Sequence, residues 1–343
     1  MILDGRQQMN RESWIHGRPK TWGPAVADIH SLRCEQAVQL VAARVGAPVA
    51  EVADMLASLD APRRYLLIEL LGETQHSAVF AAVDQLLARE VALKVHKGRG
   101  PEAERKILLE ARAMGRVEHP NVARMYELGE AEGRLYSTME LCESNLTGWA
   151  EGRPWVAVLD RLIEAGRGLV AVHAAGLVHG DVKPENILVK AGEAKLADFG
   201  LASPPGWSTR IAGTPGYIAP EVADGQRGPA GDVFALACAA WVCLYGSPPF
   251  GEPPSSAGVS AATLVLVSRA RDGRLDGTGA ARTAAPPALL AALSCALMPD
   301  PQRRPELGEL LERLVAVRSA GRFGRWVLSR RLGGRRHGAA NGW

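Results

Sequence analysis

The stretch His179-Gly180-Asp181-Val182-Lys183-Pro184-Glu185-Asn186 constrains this chain more than any other. It sets an ammonium two residues after a carboxylate, and a carboxamide three residues after the ammonium. Twelve residues past Asn186 comes Asp198-Phe199-Gly200, a second carboxylate followed by an aromatic ring and a glycine. One carboxylate can orient a hydroxyl and take its proton, while an amide oxygen and another carboxylate can hold Mg²⁺. A lone Asp-Phe-Gly arises often by chance. Both motifs, in this order and at this spacing, are specific, and their inventory is the one that phosphoryl transfer from ATP needs.

The pattern around these motifs is that of an α+β chain. Short runs of Leu, Val and Ala between turn residues predict strands over Tyr65 to Leu71, Ala78 to Val83 and Glu90 to His96. Pro101 to Val117 reads as a helix, Val122 to Glu130 and Arg134 to Leu141 as two more strands, and the chain after Leu146 as mostly helical. Val233 to Tyr245, thirteen apolar residues, is too short to cross a bilayer and reads as a buried helix. There is no internal repeat.

Further motifs fall in the same order. Val91-Ala92-Leu93-Lys94 ends a predicted strand, and Glu110 lies in the helix that precedes His119-Pro120-Asn121. Gly213-Thr214-Pro215-Gly216-Tyr217-Ile218-Ala219-Pro220-Glu221 follows the Asp-Phe-Gly. Asp232 and Arg304 stand in Gly231-Asp232-Val233-Phe234 and Asp300-Pro301-Gln302-Arg303-Arg304-Pro305. On these residues the chain resembles a eukaryotic-type (Hanks-type) protein Ser/Thr kinase, from about Tyr65 to about Val317.

That resemblance implies a bilobal fold, with a sheet-based N-lobe over 64–141 and a helical C-lobe over 142–317. It implies that Lys94 contacts the α- and β-phosphates of ATP and that Glu110 holds Lys94, since Glu102 and Glu104 lie too early relative to His119. Gly72, Val79, Ala92, Lys94, Met139, Glu140, Cys142 and Leu188 match positions that bind the nucleotide. Met139 takes the gatekeeper place, and Glu140 to Cys142 the hinge. Asp181 would act as the catalytic carboxylate and Lys183 would steady the γ-phosphoryl group. Lys183, two residues after Asp181, fits Ser/Thr rather than Tyr specificity. Asn186 and Asp198 would ligate Mg²⁺. Glu221 would pair with Arg304, and Asp232 would hold the backbone of the catalytic loop. The Thr214 to Glu221 segment points to a protein substrate.

Two departures qualify these expectations. The phosphate-covering loop of the family reads G-x-G-x-x-G-x-V, whereas here Gly72-Glu73-Thr74-Gln75-His76-Ser77-Ala78-Val79 keeps only the first glycine. Glycine lets a backbone approach phosphates closely, so the altered loop predicts weaker ATP binding. Gly180 stands where the family has an arginine that meets a phosphate on the activation segment. Its loss predicts little dependence on phosphorylation of that segment, although Ser208, Thr209 and Ser203 remain candidate autophosphorylation sites. The second reading is a pseudokinase or scaffold with weak nucleotide binding.

The rest of the chain is less specific. Residues 1–63 form an extension in which the spacing of Val38, Val41, Val45, Val52, Met55, Leu56 and Leu59 predicts a helical hairpin over 31–60. It reads as a prop on the kinase domain, a regulatory or targeting element, or a helix-turn-helix without a basic face. Five cysteines without a CxxC pair argue against a disulfide framework or a zinc site. The richness in Ala, Gly and Arg resembles a bacterial high-GC composition. With no signal-peptide pattern and no long apolar run, the expected location is cytoplasmic. The tail, 318–343, carries seven Arg and no acid; removing those charges from the net +3 leaves −4 on the other 317 residues. Such a tail suits an anionic membrane, a nucleic acid or an acidic partner, or is a disordered solubilising segment.

Overall fold

A computed structural model of the chain describes residues 64–131, 134–207, 211–252, 258–276 and 285–333, with side chains up to residue 320 except at Trp207. The hairpin expected over 31–60 and the candidate acceptors Ser208 and Thr209 lie outside the described residues.

The elements begin with β1 (Tyr65–Glu73), β2 (Ser77–Asp84), β3 (Arg89–His96), α1 (Pro101–Met114), β4 (Met125–Ala131), β5 (Arg134–Glu140), β6 (Ser144–Asn145) and α2 (Leu146–Ala150). They continue with α3 (Trp155–Ala174), β7 (Ile187–Lys190), β8 (Glu193–Leu196), β9 (Gly206–Trp207), α4 (Pro220–Ala223) and β10 (Gln226–Arg227). The chain ends in α5 (Pro229–Tyr245), α6 (Val259–Arg271), α7 (Pro287–Ala296) and α8 (Leu307–Gly333). The fold class is α+β, as expected. The described residues fall into two compact units. One holds residues 64–116 together with Ala123–Trp149 and Leu188–Gly192; the other holds Val117–Val122, Ala150–Ile187 and the described residues from Glu193 onward.

The first unit is built on a five-stranded antiparallel sheet in the order β1-β2-β3-β5-β4. Alternate residues of a strand share a face. Ala78, Phe80 and Ala82 of β2 lie opposite Val95, Leu93 and Val91 of β3, and together with Tyr65 they form a buried core. Phe80 and Leu93 are fully buried, and each contributes about 1.5–3 kcal/mol relative to exposure. At the sheet margin the fully buried Asp84 accepts from Arg64 Nε and Nη2, both at 3.3 Å, and from the N–H groups of Leu86 and Leu87. Burial alone would raise the Asp84 pKa; the Arg64 and backbone bonds outweigh it and hold the carboxyl below its ordinary range.

Two boundaries differ from those expected. Helix α1 stops at Met114 rather than Val117, because Gly115 caps it and the Arg116 N–H turns back to the Ala113 carbonyl. Strand β4 starts at Met125 rather than Val122. Val122 instead makes an isolated bridge to Leu196, and its N–H closes a turn onto His119.

The second unit is mostly helical. Helix α3 buries Val158, Leu159, Leu162, Ile163, Leu169 and Val172, a stripe of helical spacing. A Cβ on Gly168 would overlap the Asn121 carbonyl oxygen, so this helix needs glycine there to approach the backbone. Helix α5, which contains the expected apolar run, is buried nearly all round and ends on Gly246 in the left-handed conformation, φ 83°. Helix α8 runs through Gly333, so the first part of the basic tail is helical rather than structureless. Its Arg318 is anchored to Asp160 of α3 at 2.6 and 3.0 Å. No helix among the described residues is long and apolar enough to cross a membrane.

Candidate active site

In the first unit, β3 and α1 bring Lys94 and Glu110 together. The Nζ–Oε1 distance is 2.6 Å, and each side chain is 14% exposed. The β3 register sets Lys94 opposite Val79 of β2 and Ser137 of β5. Gly72 pairs with Val79 across the β1–β2 hairpin, and a Cβ at Gly72 would stand in open space. Ala92 is buried beside Met139 of β5. Glu140 binds Lys190 at 3.0 Å; burial lowers the Lys190 pKa, but the hydrogen bond and charge of Glu140, with Tyr126 and Cys142, together outweigh it and the net shift is upward. Cys142 Sγ lies 3.9 Å from the Glu140 carbonyl, and Leu188 of β7 pairs with Asn145 of β6.

The β1–β2 turn is closed by its own side chains. Thr74 Oγ1 accepts the N–H of His76 at 3.2 Å and of Ser77 at 3.1 Å, and lies 3.3 Å from Ser77 Oγ. Lys97 binds the Glu73 carboxylate and donates to the Thr74 carbonyl at 3.0 Å.

In the second unit, Asp181 is the centre of a polar cluster. Its Oδ1 accepts from the Thr214 N–H at 3.1 Å and the Thr214 hydroxyl at 2.7 Å. Its Oδ2 accepts from Lys183 Nζ at 2.7 Å and Asn186 Nδ2 at 3.0 Å. Lys183 also donates to Thr214 Oγ1 at 2.7 Å. A carboxylate has about four acceptor sites, and these donors fill them. Asn186 Nδ2 also donates to the Asp181 carbonyl at 2.9 Å, so both amide hydrogens turn toward Asp181 and the amide oxygen turns away. The Asn186 carbonyl takes the Ala197 N–H at 2.9 Å, which ties the residue before Asp198 to the loop. Asp198 itself has φ 64°, a left-handed conformation rare outside glycine.

Buried groups hold this cluster in place. Asp232 accepts the N–H of His179 and of Gly180, each at 2.8 Å, and His173 Nε2 lies 2.9 Å from Asp232 Oδ2. Burial pushes the His179 pKa down, and Asp232, Asp198 and Asp181 only partly oppose it. A neutral ring fits its partners: Nε2–H donates to the Ala197 carbonyl at 3.1 Å, and Nδ1 accepts the Asp181 N–H at 3.3 Å. Phe199 packs edge-on to that ring, with centroids 5.0 Å apart. Glu221 and Arg304 form the expected pair, in bidentate contact at 2.6 and 2.8 Å. The remaining Arg304 donors go to the carbonyls of Met298, Ala230 and Pro299.

The family model of the protein kinase domain matches residues 65–315. This chain belongs to the protein kinase family. Its kinase domain is 38% identical over 206 residues to the serine/threonine-protein kinase PknA of Mycobacterium tuberculosis, covering 54% of this chain and 48% of that one. It is 37% identical over 207 residues to the DNA damage-responsive serine/threonine-protein kinase RqkA of Deinococcus radiodurans, covering 54% and 30%. A probable serine/threonine-protein kinase pknA2 of Bifidobacterium longum is 31% identical over 207 residues, covering 54% and 27%. The chain therefore spans about half, or less, of the length of these relatives.

Within the kinase domain, the residues expected from sequence gather into two sets, Lys94 with Glu110 and Asp181 with Lys183 and Asn186. Two further residues join the second set without any signal in the motifs. His173, on α3, supports Asp232. Arg227, on β10, stands against Gly180: a Cβ at Gly180 would overlap Arg227 Nη2 and lie 3.1 Å from its Cζ. Burial lowers the Arg227 pKa, and the charge of Asp232 opposes that shift.

Proposed function

We propose that this chain is an ATP- and Mg²⁺-dependent protein serine/threonine kinase whose activity depends little on phosphorylation of its activation segment. The observation that carries this reading is the Asp181 cluster, a carboxylate aligned by Lys183, Asn186 and Thr214. The donor set suits Mg²⁺. The Asn186 amide oxygen and the Asp198 carboxylate are hard ligands, and among the described residues no group of three or more His, Cys, Asp or Glu forms a dedicated cage. Magnesium in such sites takes one or two protein oxygens, with phosphates and water filling the rest. When bound, it neutralises charge on the phosphate oxygens.

The chain's own residues would divide the work. Lys94, fixed by Glu110, holds the α- and β-phosphates. Asp181 orients the Ser or Thr hydroxyl and takes its proton as the oxygen bonds to the γ-phosphorus and the bond to ADP breaks. All four acceptor sites of Asp181 are engaged, so one donor has to leave before a hydroxyl can bind. Lys183 is suited to that exchange, because a γ-phosphoryl group offers it a stronger anionic partner. Thr214 keeps Oδ1 aligned meanwhile. Gly72, Val79, Ala92, Met139, Glu140, Cys142 and Leu188 are assigned to the nucleotide. The Thr74 turn supports weaker ATP binding than a glycine-rich loop provides, because its hydroxyl takes two loop N–H groups that would otherwise face phosphate. The protein acceptor, autophosphorylation at Ser208 and Thr209, an anionic partner for the 318–343 tail and a cytoplasmic location belong to the same reading.

The test is Mg²⁺-dependent autophosphorylation of the purified chain, mapped by mass spectrometry beside an Asp198→Ala control. Phosphate on Ser or Thr that is absent from the control supports the kinase. No incorporation, with no thermal shift by ATP and Mg²⁺, would instead favour a scaffold.

A further inference from the structure

Gly180 lies in the catalytic loop with φ 77°, its N–H held by Asp232. The volume that a side chain at this position would enter is already filled. The Arg227 guanidinium occupies it, reaching in from a strand forty-seven residues further along the chain. Arg227 Nη2 donates to the Leu201 carbonyl at 2.7 Å, and Leu201 directly follows Asp198-Phe199-Gly200. The same carbonyl lies 3.3 Å from the Cβ that Gly180 lacks. Glycine at 180 and arginine at 227 are therefore complementary: the one leaves the space that the other uses.

The backbone of Arg227 acts on the same segment. Strand β10 pairs antiparallel with β9, with Arg227 opposite Gly206 and Gln226 opposite Trp207. Between these two attachments, Ser203 exchanges hydrogen bonds with Val178 at 2.8 and 3.0 Å. The segment after Asp198 is thus fastened at Leu201 by the guanidinium, at Ser203 by Val178, and at Gly206 and Trp207 by β10. None of these attachments needs a phosphate.

We propose that Arg227 is a positioning residue that stands in for the side chain absent at Gly180, holding the start of the activation segment against the catalytic loop in the unphosphorylated protein. This rests on the kinase reading above and supplies its physical reason for independence from phosphorylation. A hydrogen bond from a guanidinium to a carbonyl, lost from a partly buried site, corresponds to roughly a tenfold or larger effect on the population of the aligned segment.

The experiment uses the full chain, freed of phosphate by a phosphatase and verified by mass. Wild type, Arg227→Ala and Arg227→Lys are compared in two ways: initial rates on myelin basic protein over a range of ATP, and amide hydrogen exchange of peptides covering 199–207. The expected result is an active unphosphorylated wild type. In Arg227→Ala, kcat falls roughly tenfold or more while KM for ATP stays within about twofold, and exchange over 199–207 rises. Arg227→Lys recovers part of both losses, because an ammonium can still donate to Leu201. Should Arg227→Ala fold poorly, Gly180→Ala displaces the same guanidinium and is expected to raise exchange over the same peptides.

Unchanged exchange in Arg227→Ala and Gly180→Ala overturns the proposal. So does a wild type that is silent until phosphorylated and loses that gain in Arg227→Ala, which would make Arg227 a phosphate receptor. If no form of the chain transfers phosphate, the kinase reading fails, and the exchange comparison still decides the role of Arg227.

Discussion

Thr74 Oγ1 accepts the Ser77 N–H at 3.1 Å, so the turn between β1 and β2 satisfies its own backbone with a side chain. It takes the His76 N–H as well, at 3.2 Å. The hydroxyl acts as an internal acceptor for two N–H groups of a loop that keeps only the first of the family's three glycines. On the kinase reading proposed above, ATP would have to displace it or forgo those donors. Thr74→Ala should free both N–H groups and lower the Kd for ATP by roughly three- to tenfold, since a neutral hydrogen bond is worth about 1 kcal/mol. Thr74→Gly should act in the same direction with a smaller gain, because glycine adds freedom to the unbound loop. Titration calorimetry with ATP and Mg²⁺ measures both, and weaker binding in Thr74→Ala would refute the explanation.

The saturated state of Asp181 leads to a contrast between two substitutions at Thr214. Thr214→Ser keeps the hydroxyl that bridges Asp181 and Lys183, and kcat should stay within about threefold of wild type. Thr214→Val removes it and leaves Asp181 one donor short and Lys183 one acceptor short, so kcat should drop by about 10- to 100-fold. Asp181→Asn should lower kcat by about 10²–10⁴-fold, the range of a lost general base, with ATP binding retained. Steady-state rates with calorimetric ATP binding separate these outcomes.

His179 makes stability depend on pH. Its folded pKa lies below the ordinary histidine value because the ring is buried. Between the folded and unfolded values the unfolded chain holds more protons, so stability rises with pH in that window. The His179 contribution is complete above about pH 6.5, the unperturbed value, and is lost as the pH falls through the window below it. Melting temperatures from pH 5 to 8 should show this slope, and His179→Gln should flatten it. An unchanged slope in the variant would assign the effect to other groups.

Glu221 and Arg304 form an ion pair in which the arginine side chain is fully buried and the glutamate is 10% exposed. Removing one partner strands the other charge. Glu221→Ala should destabilise the second unit by about 3–5 kcal/mol, whereas the double variant Glu221→Gln with Arg304→Met should cost less. Urea denaturation followed by tryptophan fluorescence reads both, and a double variant less stable than Glu221→Ala would contradict the stranded-charge account.

Much of the first unit could be read from the chain. The short runs of Val, Leu and Ala between turn residues are enough to predict strands over Ala78 to Val83 and Glu90 to His96, and β2 and β3 form there; their register and common buried face come from the fold. The pairing of Lys94 with Glu110 also followed from motif order. Boundaries did less well. Val122 fits a strand by composition, yet its partner is Leu196, and no local pattern reveals a contact of that range.

By itself the sequence determined the polar inventory, the order of strands and helices, and the two places where the inventory is unusual, Thr74 and Gly180. These depend on residue identity and short spacings, which are local properties. Only the tertiary structure decided what fills those two places. Thr74 turns its hydroxyl onto the backbone of its own hairpin, and Arg227 brings a guanidinium into the volume left by Gly180. The physical reason is that a side chain's direction and a vacant volume are set by how distant segments pack. A missing side chain can be seen in a sequence; the group that takes its place is found only where the folded chain puts it.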